Sequence, residues 1–142
     1  MLVSDTLLKS GIGRFVIENV PQVENTASVK VAADTYHPYP SGSMFVVDSG
    51  TRALSGVITG DDFANLYRRG AQPQNAEDLA PKEVIVAIRR DAKLWQPLKI
   101  MNGENKLGRW LDRLPVVDAQ GKPVGIVTRD RLTRVLADFE KA

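Results

Sequence analysis

The chain carries one pattern twice. Residues 44–63 read MFVVDSGTRALSGVITGDDF and residues 114–132 read LPVVDAQGKPVGIVTRDRL. Each copy runs from an apolar stretch through Val-Val-Asp and a Gly-containing polar turn to Gly, two apolar residues, Thr and an acid-containing turn. Gly56 and Thr59 return as Gly125 and Thr128, each 69 positions later (125−56, 128−59). A period this long, present twice in 142 residues, implies two similar subdomains rather than a solenoid of many units. Each half, at about 70 residues, can hardly bury enough apolar surface alone. The halves, residues 1–75 and 76–142, are therefore expected to pack as an obligate pair, with function where they meet.

Composition narrows the function classes. With 19 basic and 17 acidic side chains the net charge is +2, too balanced to argue for a nucleic-acid partner, which calls for clustered positive charge. The absence of Cys excludes disulfides and thiolate metal sites. Nothing resembles a signal peptide, and no apolar run approaches bilayer length. A soluble, cytoplasmic protein with no membrane partner is expected.

Along the chain, Leu2, Val3, Leu7, Leu8 and Ile12 are spaced for a short amphipathic helix ending at Gly11 or Gly13, and residues 14–24 read as extended. Asn25-Thr26 is a candidate N-cap for a helix over Ala27–Tyr36. His37–Gly42 reads as a loop. Met44–Val47 and Leu54–Ile58 read as a hairpin, Asp61–Arg69 as a helix with Phe63, Leu66 and Tyr67 inward, and Gly70–Asn75 as the linker. The second half predicts a strand at Glu83–Ile88, an N-cap at Asp91 and a helix over Ala92–Met101. In that helix Pro97 implies a kink or a late start. A long loop, a hairpin around Gln120-Gly121 and a helix over Arg129–Phe139 follow, with Leu132, Val135, Leu136 and Phe139 on one stripe.

This strand–helix–strand–strand–helix order, with LPVVDAQGKPVGIVTRDRL and its partner, resembles the CBS domain family, named after cystathionine β-synthase. The resemblance covers Gln22 to Phe139, and two tandem copies would form one Bateman module. It implies an α+β fold of tandem pseudo-twofold βαββα repeats, packed sheet to sheet with helices outside. It also implies a non-catalytic regulatory module that binds an adenosyl ligand (AMP, ADP, ATP, S-adenosylmethionine or a similar molecule) in the cleft between repeats. Other implications are association into a homodimer, through the helices at 61–69 and 129–139, and an effector protein to regulate. The alternative reading is a ligand-free interaction or dimerisation scaffold with degenerate sites.

Thr59 and Thr128 stand where a strand hands over to a helix, a place that exposes unpaired N–H groups and the positive end of the helix dipole. In the resembled family the Thr and Asp of G-x-x-T-x-x-D hold phosphate and ribose. Gly56, Thr59 and Asp62 fit that pattern. Thr-x-x-Asp is equally the signature of a capping box, and the two roles are compatible. In the second copy the third position is Arg131, which only donates and cannot accept from ribose hydroxyls. Arg131 is expected either to reach a phosphate or to be solvated. An adenine slot would by position involve Val23, Ser43 and Met44 in the first copy and Ile88, Arg113 and Leu114 in the second, with core packing the default for the apolar ones. His37 lacks a nucleophile partner, the adjacent Asp61 and Asp62 diverge on a helix, and no metal site is expected. Trp95 and Trp110 are expected to pack, Trp110 alternatively to meet a partner. Arg68, Arg69, Arg129, Arg131 and Arg134 read as solvated helix faces.

Overall fold

The computed structural model describes residues 5–68 and 72–141, apart from the side chains of Tyr67, Phe139, Glu140 and Lys141. In chain order the elements are α1 (Asp5–Leu8), β1 (Gln22–Glu24), α2 (Val29–Thr35), β2 (Ser43–Val47), β3 (Leu54–Thr59), α3 (Gly60–Ala64), α4 (Ala76–Leu79), β4 (Ile88–Arg89), α5 (Trp95–Met101), β5 (Arg113–Val117), β6 (Pro123–Thr128) and α6 (Arg129–Lys141). Short 3-10 turns occupy Gly13–Phe15 and Asn65–Tyr67. The fold is mixed α+β, with two three-stranded sheets ordered β1-β2-β3 and β4-β5-β6. In each sheet the first strand runs parallel to the second, and a helix lies between them in sequence. The expectations for Leu2, Val3, Arg69, Gly70 and Ala71, and for the side chains of Tyr67 and Phe139, fall outside the described residues.

The chain divides into two compact units, one of residues 19–85 with 120–123, the other of residues 1–18 with 86–119 and 124–142. In the first unit β2 is central and buried along its whole length, as a continuous apolar run requires. Met44 and Val46 share a core with Val23, Ala32, Ile58 and Leu79. Phe45 and Val47, alternating onto the other face, are equally buried. The first hairpin has one residue more between Asp48 and Gly56 than the second has between Asp118 and Gly125. Ser55 absorbs it: Val46 faces Gly56 and Val47 faces Leu54, a bulge in the ladder. The turn is closed by Asp48 Oδ2, which accepts from the N–H groups of Gly50 at 2.9 Å and Thr51 at 2.8 Å.

Local chemistry moved several boundaries of this unit. The cap of α2 is Ser28, whose hydroxyl accepts the Val31 N–H at 3.1 Å, rather than Asn25 or Thr26. Asn25 instead extends the sheet, its N–H donating to Val47 O at 2.8 Å, and its side chain accepts the Ser49 N–H. The helix after β3 ends at Ala64 and tightens into the 3-10 turn. The last residue of the expected linker, Asn75, caps α4 together with Asp78, and α4 packs on α2.

In the second unit only Ile88 and Arg89 of the strand expected at Glu83–Ile88 find a ladder partner, and Val84 is exposed. Asp91 does not cap α5, which begins at Trp95. The late start leaves Pro97 in the first turn, where its missing N–H costs no helical bond, and Gln96 Oε1 accepts the Lys93 N–H at 2.8 Å. The N-terminal segment, counted with the first half on sequence, belongs to this unit. Its helix is short, α1 alone, and residues 14–24 are not continuously extended. Ile12 and Phe15 enter the core formed with Leu94, Met101, Leu114 and Val127. Ile17 forms an antiparallel bridge to Ile126, with bonds of 2.8 and 2.9 Å in the two directions. Leu132 and Leu136 of α6 join the same core.

Candidate functional site

The register of the first hairpin pairs Ser43 with Thr59, so two hydroxyl side chains share the sheet end at which α3 starts. Ser43 is fully buried, its N–H donating to Ser41 Oγ at 3.2 Å. Asp62, one turn into the helix, is a buried carboxylate with 7% exposure. Its Oδ2 accepts from the Thr59 N–H at 2.7 Å and from the Thr59 hydroxyl at 3.2 Å. Thr59 and Asp62 thus form the capping-box pair, in which the strong bond is the carboxylate reaching back to the Thr59 amide. Tyr36 closes the flank: its hydroxyl donates to Gly42 O at 3.2 Å, and a Cβ on Gly60 would stand 3.1 Å from that hydroxyl.

The apolar candidates do not line this corner. Met44 pairs with Ile58 and points into the core. Val23 pairs with Val46, three positions along β2 from Ser43, or about 10 Å at strand rise. In the second copy Ile88 and Leu114 are core side chains. Arg113 opens β5, partly exposed, 3.7 Å from the Asp112 carboxylate. Of the first-copy candidates the structure therefore gathers Ser43, Thr59 and Asp62, and leaves Val23 and Met44 to packing.

At the second copy Thr128 caps α6 through its own hydroxyl, which accepts the Arg131 N–H at 3.1 Å. Arg131 is not simply solvated: its Nη2 donates to Arg14 O at 3.2 Å in an exposed contact. Arg129, expected on a solvated face, is committed more deeply still. Nη2 donates to Met101 O at 2.7 Å and to Leu111 O at 3.0 Å, while Nη1 donates to Asn102 Oδ1 at 3.2 Å. Its guanidinium lies 4.5 Å from the centroid of Trp110. No local sequence signal marked Arg129, since its partners lie 18 to 28 positions away. Trp95 and Trp110 do not pack away as expected: they are 43% and 70% exposed. His37 is exposed in its loop, and no group of three metal-capable side chains occurs among the described residues. No described helix is long and apolar enough to cross a membrane.

Residues 76–138 match the family model of the CBS domain. No curated protein matches the chain. Among solved structures the chain is similar to CBSX2 in complex with AMP, at 24% identity and a TM-score of 0.70 over 92% of this chain and 98% of that one. It is similar to the CBS domain pair of protein MJ0100 in complex with 5'-methylthioadenosine and S-adenosyl-L-methionine, at 22% identity and a TM-score of 0.69 over 91% and 97% of the two chains. OpuCA of Staphylococcus aureus gives 22% identity and a TM-score of 0.66 over 88% and 97%. These likenesses establish the fold.

Proposed function

We propose, on the match of residues 76–138 to the CBS domain model, that the chain is a CBS-type regulatory module binding an adenosyl ligand such as AMP, ADP, ATP or S-adenosylmethionine. The observation that carries the reading is the Ser43, Thr59 and Asp62 corner. A buried carboxylate there bonds to Thr59, whose ladder partner is Ser43, and that set supplies acceptors for ribose hydroxyls and donors for a phosphate. Similar folds were solved with AMP and with S-adenosyl-L-methionine, which supports the ligand class.

Titration calorimetry with AMP, ADP, ATP, S-adenosylmethionine and cyclic dinucleotides tests this. One of them is expected to bind saturably, and Asp62→Asn to weaken it roughly 10- to 100-fold, the worth of a hydrogen bond to a charged group. Arg131→Ala is expected to change it by less than about 3-fold, since a solvent-exposed contact is worth little. Because Asp62 also caps α3, unfolding of each unliganded variant is measured beside binding. Equal losses in the two variants would place the ligand elsewhere.

One observation favours a second reading, a scaffold without a ligand: Asp62 Oδ2 is already satisfied by its own Thr59. Absence of saturable heat with every compound, in a folded sample, would decide for it. Homodimerisation and an effector protein belong to either reading. The stripe expected to join chains is partly spent, because Leu132 and Leu136 are packed in their own core.

A further inference from the structure

The two copies differ in the length of chain that leads to their hairpins. From the end of the first helix to the Val-Val-Asp acid, the second copy runs 17 residues, Asn102 to Asp118, where the first runs 13, Tyr36 to Asp48. Part of the added length returns to α6. Asp112 O accepts the Arg129 N–H at 2.8 Å, and the Leu111 N–H donates to Met101 O at 3.0 Å. The Arg129 side chain then bridges the carbonyls of Met101 and Leu111 and the Asn102 amide oxygen, beneath the Trp110 ring. The Arg131 N–H is taken by Thr128 and its guanidinium by Arg14 O. The backbone N–H and the guanidinium of Arg129, donors beside Thr128, are turned onto the chain's own carbonyls.

We propose that loop 102–113 is an internal occupant of the Thr128 position, with the Asp112 carbonyl seated on the Arg129 amide and the Arg129 side chain clamping the loop. The chain then takes one adenosyl ligand, at Thr59 and Asp62, and none at Thr128. The ligand count rests on the function proposed above; the clamp does not. An oxygen acceptor already on the amide must be displaced before a phosphate oxygen can use it. The planar guanidinium holds two carbonyls through Nη2 and the Asn102 amide oxygen through Nη1 while its face meets Trp110, a spread that lysine's single nitrogen does not reproduce.

Hydrogen exchange by NMR on the full chain tests both halves. Arg129→Ala is expected to speed exchange of the amides of residues 111 and 129 by roughly 10-fold or more, the worth of about one net hydrogen bond or more. Arg129→Lys, which keeps the charge, should loosen the same amides. Added ATP should protect amides at 59–62 and leave those at 128–131 unchanged. Unchanged loop exchange in both Arg129 variants, or ATP protection at 128–131 in the wild type, would overturn the inference. If none of AMP, ADP, ATP and S-adenosylmethionine moves either copy, the ligand reading fails, and the exchange data alone decide the clamp.

Discussion

Gly56 and Gly125 occupy the same place in the repeat but are crowded by different neighbours. A Cβ on Gly56 would stand 2.9 Å from the Ala80 Cβ at the end of α4. A Cβ on Gly125 would overlap Val16 Cγ1 and stand 2.6 Å from Ile17 O, a carbonyl fixed by its bond from the Ile126 N–H. The Ala80 methyl moves only with its backbone, as the Ile17 carbonyl does, but the overlap at Gly56 is shallower and involves one atom rather than two. Gly125→Ala is therefore expected to destabilise by about 1–3 kcal/mol, the usual range for overpacking. Gly56→Ala should cost less, and urea unfolding of both variants measures the order. The glycines were legible as repeat markers, but their reason was not: both crowding segments come from distant parts of the chain. Asp62 was legible from Thr-x-x-Asp because three residues of spacing contain the interaction. Arg129 was illegible because its partners lie across the fold.

Elements whose chemistry is local followed from the sequence, and those needing a remote partner did not. Both hairpins and the starts of α3 and α6 could be placed from neighbouring residues. The strand at 83–88 could not, because a strand exists only where another strand accepts it, and just Ile88 and Arg89 find one. For α2 the cap was expected at Asn25-Thr26, but the sheet takes Asn25 and Ser28 caps the helix instead. Ser28→Ala is accordingly expected to cost about 1 kcal/mol, with the loss of exchange protection concentrated in residues 29–35. Two carboxylates close turns in this unit by similar means. The Asp48 carboxyl is held below its usual range chiefly by the Thr51 N–H, then by that of Gly50. The Asp78 carboxyl is held down chiefly by the Gln74 N–H. Lowered values of this kind stabilise the fold above the unfolded carboxylate value of about 3.9, and the contribution disappears as pH falls through the lower folded value. Asp48→Asn should thus lose less stability than wild type on acidification below about pH 4, read as the shift in urea midpoint.

At the scale of the molecule, the unit built on the second sheet is completed from the far end of the chain. Ile12 and Phe15 are 0% and 1% exposed in a core otherwise drawn from residues 88 onward, and Ile17 bridges to Ile126 in β6. Contacts this distant in sequence close a long loop, and their entropic cost must be met by the burial they achieve. Phe15→Ala removes a fully buried ring and is expected to cost about 3–5 kcal/mol. The chain's spectroscopy separates the two units. Both tryptophans, Trp95 and Trp110, fall in the unit containing Phe15, and all three tyrosines, Tyr36, Tyr39 and Tyr67, fall in the other. In urea, Phe15→Ala should move the tryptophan-detected midpoint downward. The tyrosine-detected midpoint then reports whether the two units unfold as one cooperative body. Coincident shifts mean that each half depends on the other, as the small size of each half implies. A tyrosine transition left at its wild-type midpoint would mean that the first unit holds its core without the second. A tryptophan midpoint that did not move would contradict the placement of Phe15 in that core.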